Sequence, residues 1–347
     1  MAVKVRVERT IGDCVLSMET GLLAKQAAGS VLVQYGETVV LVAAATGAPR
    51  PGIDFFPLTC DYRERAAAAG KFPGGFLKRE GRPTMKETLT SRLIDRPIRP
   101  LFPVGFNDEV QVQASVLASD RQTDGDVLAM NGASAALCVS ELPFHGPIGS
   151  VRLAQVDGVF VPFPTQDQLE ESDLDLIVSG SEDTVLMIEG FAREMPEDRM
   201  LEAIDECQRI IRELCLMQKE LMEKGGKAKK EYDIPDFKPL QERIYAAYLA
   251  EMKQIKAIEG KLERNEASKK LKQQAKAELI PDPEAEGAVC ESHFSHVWHD
   301  LEEKAVRELI LEGRRPDGRD STSLRPISCE VDLLPRVHGS ALFQRGE

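Results

Sequence analysis

Short runs of alternating apolar and polar residues dominate the chain from Val3 to about Met195, and they predict strands. The clearest are VLVQYGETVVLVAAATG (31–47), GSVRLAQVDGVFVPF (149–163) and LDLIVSGSEDTVLMIEG (174–190), each broken by a turn signal. Gly132 to Ser140, rich in Gly and Ala, reads as a helix between them. Strands interleaved with helix in this way specify an α+β domain. The period then changes. Pro196 opens EDRMLEAIDECQRIIRELCLMQKELMEKGG as a first-turn proline with acids beside it, and Gly225 marks the stop. Met200, Ile204, Cys207, Ile211 and Leu214 keep helical spacing, which marks a core-facing stripe. From about Lys224 to Leu311 the chain is rich in Lys, Glu, Gln and Ala. There Pro235, Pro239, Pro281 and Pro283 separate helices from loops.

One pattern occurs twice. Residues 29–37 read GSVLVQYGE and residues 339–347 read GSALFQRGE. In the first copy alternating apolar residues run into a Gly-Glu turn, and Thr38 to Ala44 supplies a partner strand. The second copy is expected to lack such a partner. Its backbone groups would then go unpaired, which implies that Glu347 interrupts a second domain.

Charge adds a candidate site. The 347 residues carry a formal net charge of −13, which repels polyanions at long range. Against that background Lys71 to Phe102 holds eight Lys or Arg and three acids. Gly74 and Gly75 after Pro73 form a loop tip bearing Phe76, Leu77, Lys78 and Arg79. Thr84 with Glu87 is a capping-box signature for a short helix expected to stop before Pro97. Arg92 and Arg96, four apart, share one face of that helix, and Arg99 lies just past its end. An exposed aromatic ring beside Lys and Arg can stack a base and hold the backbone of a single strand without reading its sequence. The competing reading pairs these arginines with Glu87, Asp95 or remote acids as structural bridges. Lys227, Lys229 and Lys230 suit either RNA contact or a solvated linker. Seven cysteines form no C-x-x-C pair, and no secretory signal or bilayer-length apolar run is visible, so a reducing cytoplasm is the default.

The stretches GKFPGGFLKREGRP and SRLIDRPIRPLFP, with DFFPLTCDYRERAAAAGKFPGG upstream and MNGASAALCVSELPFHGPIGSVRL and VPFPTQDQLEESDLDLIVSGS downstream, resemble bacterial polynucleotide phosphorylase. The resemblance runs from about Arg6 to Glu347 and is weakest between about Lys224 and His299. It implies an RNase PH-like core, a mixed sheet with packed helices, in two parts (1–145 and 146–223). A helical linker domain (224–311) and the truncated start of a second RNase PH-like core (312–347) follow, the latter signalled by RPDGRDSTSLRPI. The family degrades mRNA by processive 3′-to-5′ phosphorolysis of single-stranded RNA to nucleoside diphosphates, with Mg²⁺ as cofactor and inorganic phosphate as co-substrate. Its homotrimeric ring narrows at a neck lined by an aromatic and arginine loop. RNA-degradation complex proteins are further partners that the resemblance suggests, and no membrane partner is expected.

Carried onto this sequence, the resemblance assigns RNA contact to Phe76, Leu77, Lys78, Arg79, Arg82, Arg92, Arg96 and Arg99. The usual loop has two aromatics followed by two arginines, so Leu77 removes a ring and Lys78 replaces a planar fork with a point charge. Catalytic residues are expected beyond Glu347. Asp167 and Asp173 resemble in spacing the metal-binding aspartates of the catalytic core, while a surface turn is the plainer reading. Asp124-Gly125-Asp126 stands where the active core carries serines, and two carboxylates would repel phosphate. The first core therefore reads as a degenerate copy, and this chain as a supplier of RNA grip and ring assembly. The alternative is an RNA-binding scaffold with no catalytic role. Cys290, His293, His296 and His299 recur every third residue, a spacing that drifts about 60° per step on a helix, so the four cannot converge on one zinc.

Overall fold

The computed structural model describes residues 4–49, 55–232, 235–281 and 289–346. Its contacts separate two units, Met1–Ile234 and Pro235–Glu347. In the first unit the alternating runs become β1 (Val5–Ile11), β2 (Cys14–Thr20), β3 (Gly29–Tyr35), β4 (Thr38–Gly47), β5 (Leu58–Glu64) and β6 (Glu109–Ala118). They form one sheet in the order β1-β2-β3-β4-β6-β5, antiparallel except where β5 runs parallel to β6. The later runs give β7 (Gly149–Val156), β8 (Val159–Pro162), β9 (Leu174–Gly180) and β10 (Val185–Ala192), an antiparallel sheet ordered β10-β9-β7-β8.

Four helices pack against these sheets: α1 (Met85–Ile98), α2 (Gly125–Val139), the short α3 (Gln166–Glu171) and α4 (Glu197–Gly225). Helix α2 touches β3, β4 and β6 of one sheet, β7 of the other, and α4. Every one of its residues is buried. Close approach explains its composition: a Cβ on Gly132 would meet Val42 Cγ2 at 2.6 Å, and one on Gly29 of β3 would meet the Ala136 carbonyl oxygen at 2.1 Å. The helix begins seven residues before the expected Gly132, because a helix buried on all sides has no polar face whose period would reveal its start. In α4, Cys207, Ile211 and Leu214 are buried and Met200 and Ile204 pack beside them, as their spacing predicts. Pro196 precedes the helix as its N-cap and is not in the first turn.

Helix α1 corrects a second expectation. It runs through Pro97 to Ile98, since Ile94, Pro97 and Ile98 are all buried and the Arg99 backbone N–H bonds to the Asp95 carbonyl. Burial of that last turn outweighs the hydrogen bond lost at proline. The segment after α4 is not a free linker either. Lys227 N–H and Lys230 N–H bond to the carbonyls of Val139 and Glu141, so residues 226–232 lie along the end of α2. Lys227 Nζ donates to Ala27 O and Ala28 O, and Lys230 pairs with Glu141. Lys229 Nζ donates to the carbonyls of Leu137, Cys138 and Ser140 at 2.8, 3.0 and 2.9 Å, which closes the C-terminus of α2.

The second unit contains α5 (Lys238–Lys256), α6 (Lys261–Leu279) and α7 (Glu291–Leu311) around Ile244, Tyr248, Met252, Leu271, Phe294, Trp298 and Leu301. Of the punctuating prolines, Pro283 lies outside the described residues. His293 and His296 pack on the Phe237 ring, with centroids at 5.2 and 4.6 Å. Cys290 is the N-cap of α7 and lies 3.0 Å from Ser292 Oγ.

The second copy of the repeat does find a partner. It forms β12 (Ala341–Arg345), antiparallel to β11 (Ile327–Val331). This hairpin reproduces β2–β3: Ser17 faces Gln34 and Glu19 faces Leu32 in one, while Ser328 faces Gln344 and Glu330 faces Leu342 in the other. In both, the Gln side-chain amide donates to the carbonyl of the glycine two residues on, at 3.0 Å from Gln34 to Gly36 and 3.1 Å from Gln344 to Gly346. Burial separates the copies. Leu16, Met18, Val31 and Val33 are core residues, whereas every residue of β11 and β12 is exposed.

Candidate nucleic-acid interface

Residues 71–84 leave β5 through a 3₁₀ turn (Ala66–Ala69) and return into α1. Two carboxylates fix this excursion at its base. Glu87 is buried. It accepts from Glu64 N–H at 2.9 Å and Thr84 N–H at 2.6 Å while its own N–H bonds to Thr84 Oγ1, the capping box foreseen in the sequence. Burial alone would raise its pKa, but the two backbone donors and the Thr84 hydroxyl hold it below the usual glutamate range. Glu80 accepts from Ala66 N–H at 3.0 Å and closes the loop a second time. Beyond these ties the tip stands in solvent, with Phe72 89 % and Phe76 98 % exposed. Leu77 is exposed beside them, and Lys78 adopts φ 48°, a left-handed conformation that non-glycine residues rarely take.

The arginines divide into two groups. Among the described residues Lys78, Arg79, Arg82 and Arg92 have no hydrogen-bond or ion-pair partner, and all four are exposed. Arg96 donates to Glu189 Oε2 at 3.0 Å and to the Ile188 carbonyl at 3.1 Å, which ties α1 to the edge strand β10. Arg99 holds Asp95 through two nitrogens, at 2.6 and 3.0 Å, and donates to the carbonyls of Phe56 and Leu58. Arg92 and Arg96 thus share a helix face but not a task. Arg92 projects between two clefts of about 710 and 690 Å³, and it lines both.

Behind α1 lies a charge network that sequence reasoning identified only in part. Arg152 donates to Asp124 Oδ2 (2.7 Å), Asp126 Oδ2 (3.1 Å) and both oxygens of Asp175 (2.8 and 2.9 Å). Lys86 joins Asp124 to Glu64, and Tyr62 Oη donates to Glu64 at 2.6 Å. Burial pushes Asp126 up, while for Asp124 the hydrogen bond and charge of Lys86 and the charge of Arg152 outweigh burial and hold it down. Asp124 and Asp126 are therefore already matched by cations from within the chain. No motif joins residues so far apart in sequence. Asp167 falls in the first turn of α3, and Asp173 lies 3.9 Å from Arg193. Among the described residues no group of three or more His, Cys, Asp or Glu is placed to hold a metal ion.

Family models match the chain in three consecutive blocks: the 3′ exoribonuclease family, domain 1, at residues 15–143; domain 2 of the same family at 146–208; and the polyribonucleotide nucleotidyltransferase RNA binding domain at 239–320. The polyribonucleotide nucleotidyltransferase of Rhodopirellula baltica is 66% identical over 344 residues, covering 99% of this chain and 46% of that protein. The chain belongs to the polyribonucleotide nucleotidyltransferase family. The nucleotidyltransferase of Geotalea uraniireducens is 47% identical over 350 residues, with 100% of this chain and 49% of that protein covered. The chain thus spans about half the length of the curated nucleotidyltransferases it matches. A chain from the Archaeoglobus fulgidus exosome with RNA bound to the active site aligns at a TM-score of 0.47 with 18% identity, over 61% of this chain and 86% of that one. The α+β core is of the RNase PH type, as the two exoribonuclease-family matches require. The third match coincides with the helical region, whose helix α6 carries Lys261, Lys269, Lys270 and Lys272 without partners among the described residues. No helix among the described residues is long and apolar enough to cross a membrane.

Proposed function

We propose that this chain supplies the RNA grip of a cytoplasmic 3′-to-5′ phosphorolytic exoribonuclease, in which phosphate attacks the terminal phosphodiester and a nucleoside diphosphate leaves. The observation that carries this reading is the loop 71–84. It exposes Phe76 almost completely and carries Lys78, Arg79 and Arg82 in the same loop, with Arg92 on the helix that follows; none of these four side chains has a partner among the described residues. Stacking contributes about 1–3 kcal/mol per base and is indifferent to base identity. The cations neutralise the backbone and make affinity depend on salt. The helical region supports the same reading through its family match and the unpaired lysines of α6. Self-association into a ring, which would bring several such loops around one strand, belongs to this proposal too.

Among the described residues the Asp124, Asp126 and Asp175 cluster does not fit a divalent cation. Asp124, Asp126 and Asp175 already receive the Arg152 guanidinium, whose positive charge stands where a metal ion would have to sit. On this reading Mg²⁺ and the reacting phosphate belong to the whole enzyme, and the described residues bind and orient the strand. The test uses labelled single-stranded RNA and the chain itself. Phe76→Ala with Arg79→Gln should weaken binding at every base composition, and RNA with phosphate and Mg²⁺ should yield no nucleoside diphosphate. Unchanged affinity in the double variant would overturn the assignment of the loop, and phosphate-dependent release of diphosphate would overturn the non-catalytic role.

A further inference from the structure

Beside the 3₁₀ turn at the loop base lies a pocket of about 470 Å³ that Arg92 does not line and that the proposed grip does not use. One wall is the 3₁₀ turn that follows β5, and it contributes Arg65 and Lys71. The opposite wall is the segment that leads from β6 into α2, and it contributes Ser119, Arg121 and Thr123. The walls are fixed to each other. Ser119 N–H bonds to the Ala68 carbonyl at 3.0 Å and Arg121 Nη2 donates to the Ala69 carbonyl at 3.1 Å, while Lys71 N–H closes its own wall on the Ala66 carbonyl at 3.0 Å. Arg121 itself sits at φ 63°, a strained backbone position for arginine.

The charges in this pocket do not cancel. Its acids are Glu64 and Asp124. Glu64 is occupied by Tyr62 Oη and Lys86, and Asp124 by Lys86 and Arg152. The side chains of Arg65 and Lys71 are exposed and have no hydrogen-bond or ion-pair partner among the described residues, while the Arg121 side chain spends a single nitrogen on a neutral carbonyl. Three cations with free donors, flanked by the hydroxyls of Ser119 and Thr123, therefore converge on one concavity of a chain whose formal net charge is −13. Arg offers a planar fork and Lys a mobile point charge, a combination suited to the tetrahedral oxygens of phosphate.

We propose that this pocket binds a phosphate group, carried either by the backbone of an RNA strand passing the 71–84 loop or by a free nucleotide. The RNA arm of the idea rests on the grip proposed above, whereas the nucleotide arm does not. Binding of a single-stranded oligoribonucleotide, of adenosine diphosphate and of inorganic phosphate is measured for the unaltered chain, for Arg65→Gln with Lys71→Gln, and for Phe76→Ala. Both pocket side chains are exposed and unpartnered, so the double variant should keep its melting temperature in the absence of ligand. Each phosphate contact with a single strand contributes about 0.7 to the slope of log affinity against log salt, so loss of two should flatten the RNA slope by about 1.4. That result assigns the pocket to the RNA backbone. Loss of diphosphate and phosphate binding with an unaltered RNA slope assigns it to a free anion. Failure of the pocket variant to change any of the three affinities overturns the proposal. Phe76→Ala separates the two ideas, because it should weaken RNA alone and leave phosphate and diphosphate binding intact.

Discussion

Lys78 shows at the scale of one side chain how the loop trades stability for presentation. A left-handed backbone costs a non-glycine residue about 1–2 kcal/mol, and no hydrogen bond of the Lys78 side chain among the described residues offsets it. Lys78→Gly should raise the unfolding free energy by about 1 kcal/mol in urea titrations while RNA affinity falls, since strain leaves together with a charge. Glu87 acts in the opposite sense. Its pKa is lowered in the folded chain, so its stabilisation is fully present above the unfolded glutamate pKa of about 4.3 and is lost as pH falls through the folded value. Glu87→Gln should therefore cost about 1.5–3 kcal/mol near pH 7, and the difference from the unaltered chain should shrink in melts taken below about pH 4. The Thr84 and Glu87 pair was legible because a capping box is a local signal. The partners of Arg152 were not, because Asp124, Asp126 and Asp175 reach it only through tertiary folding.

Among elements, those with a clean period were readable and those without were not. Strands β4, β7, β8 and β9 fall inside the alternating runs, β3 and β10 overlap them to within two residues, and α4 follows its stripe. Helix α2 hid its first half because it is buried on every side, and α1 ran past Pro97 because packing overrode a local breaker. The split among the arginines was visible only in part: Asp95, four residues before Arg99, was a nameable partner, whereas Glu189 and the Phe56 carbonyl are remote in sequence. The two copies of the repeat allow a matched comparison of one substitution in two settings. Gly29→Ala drives a Cβ toward the Ala136 carbonyl and should cost at least about 1–3 kcal/mol, the range for overpacking. Gly339→Ala has nothing within 4 Å and should be close to neutral in the same thermal melts. Equal losses at both positions would show that the approach of α2 is not what requires glycine at 29.

For the whole molecule, the net charge of −13 and the cationic loop together set how it meets RNA. Long-range repulsion opposes encounter and short-range contacts retain the strand, so association should depend on ionic strength in two regimes. Added salt should first speed association by screening the bulk charge, and then weaken the bound state by competing for phosphates. Stopped-flow binding at graded salt checks this, and an association rate that falls monotonically from the lowest salt would contradict it.

The β11–β12 hairpin carries its own chemical gauge. Cys329 stands at the register position that Met18 occupies in β2–β3, on the face that is sealed in the first copy and open in the second. An alkylating reagent should consume Cys329 quickly, while the buried Cys138, Cys207 and Cys215 react only when the first unit opens. Mass spectrometry of the labelled chain can follow one thiol against the other three. Whatever comes to lie over that hairpin will be recorded as a slowing of a single reaction.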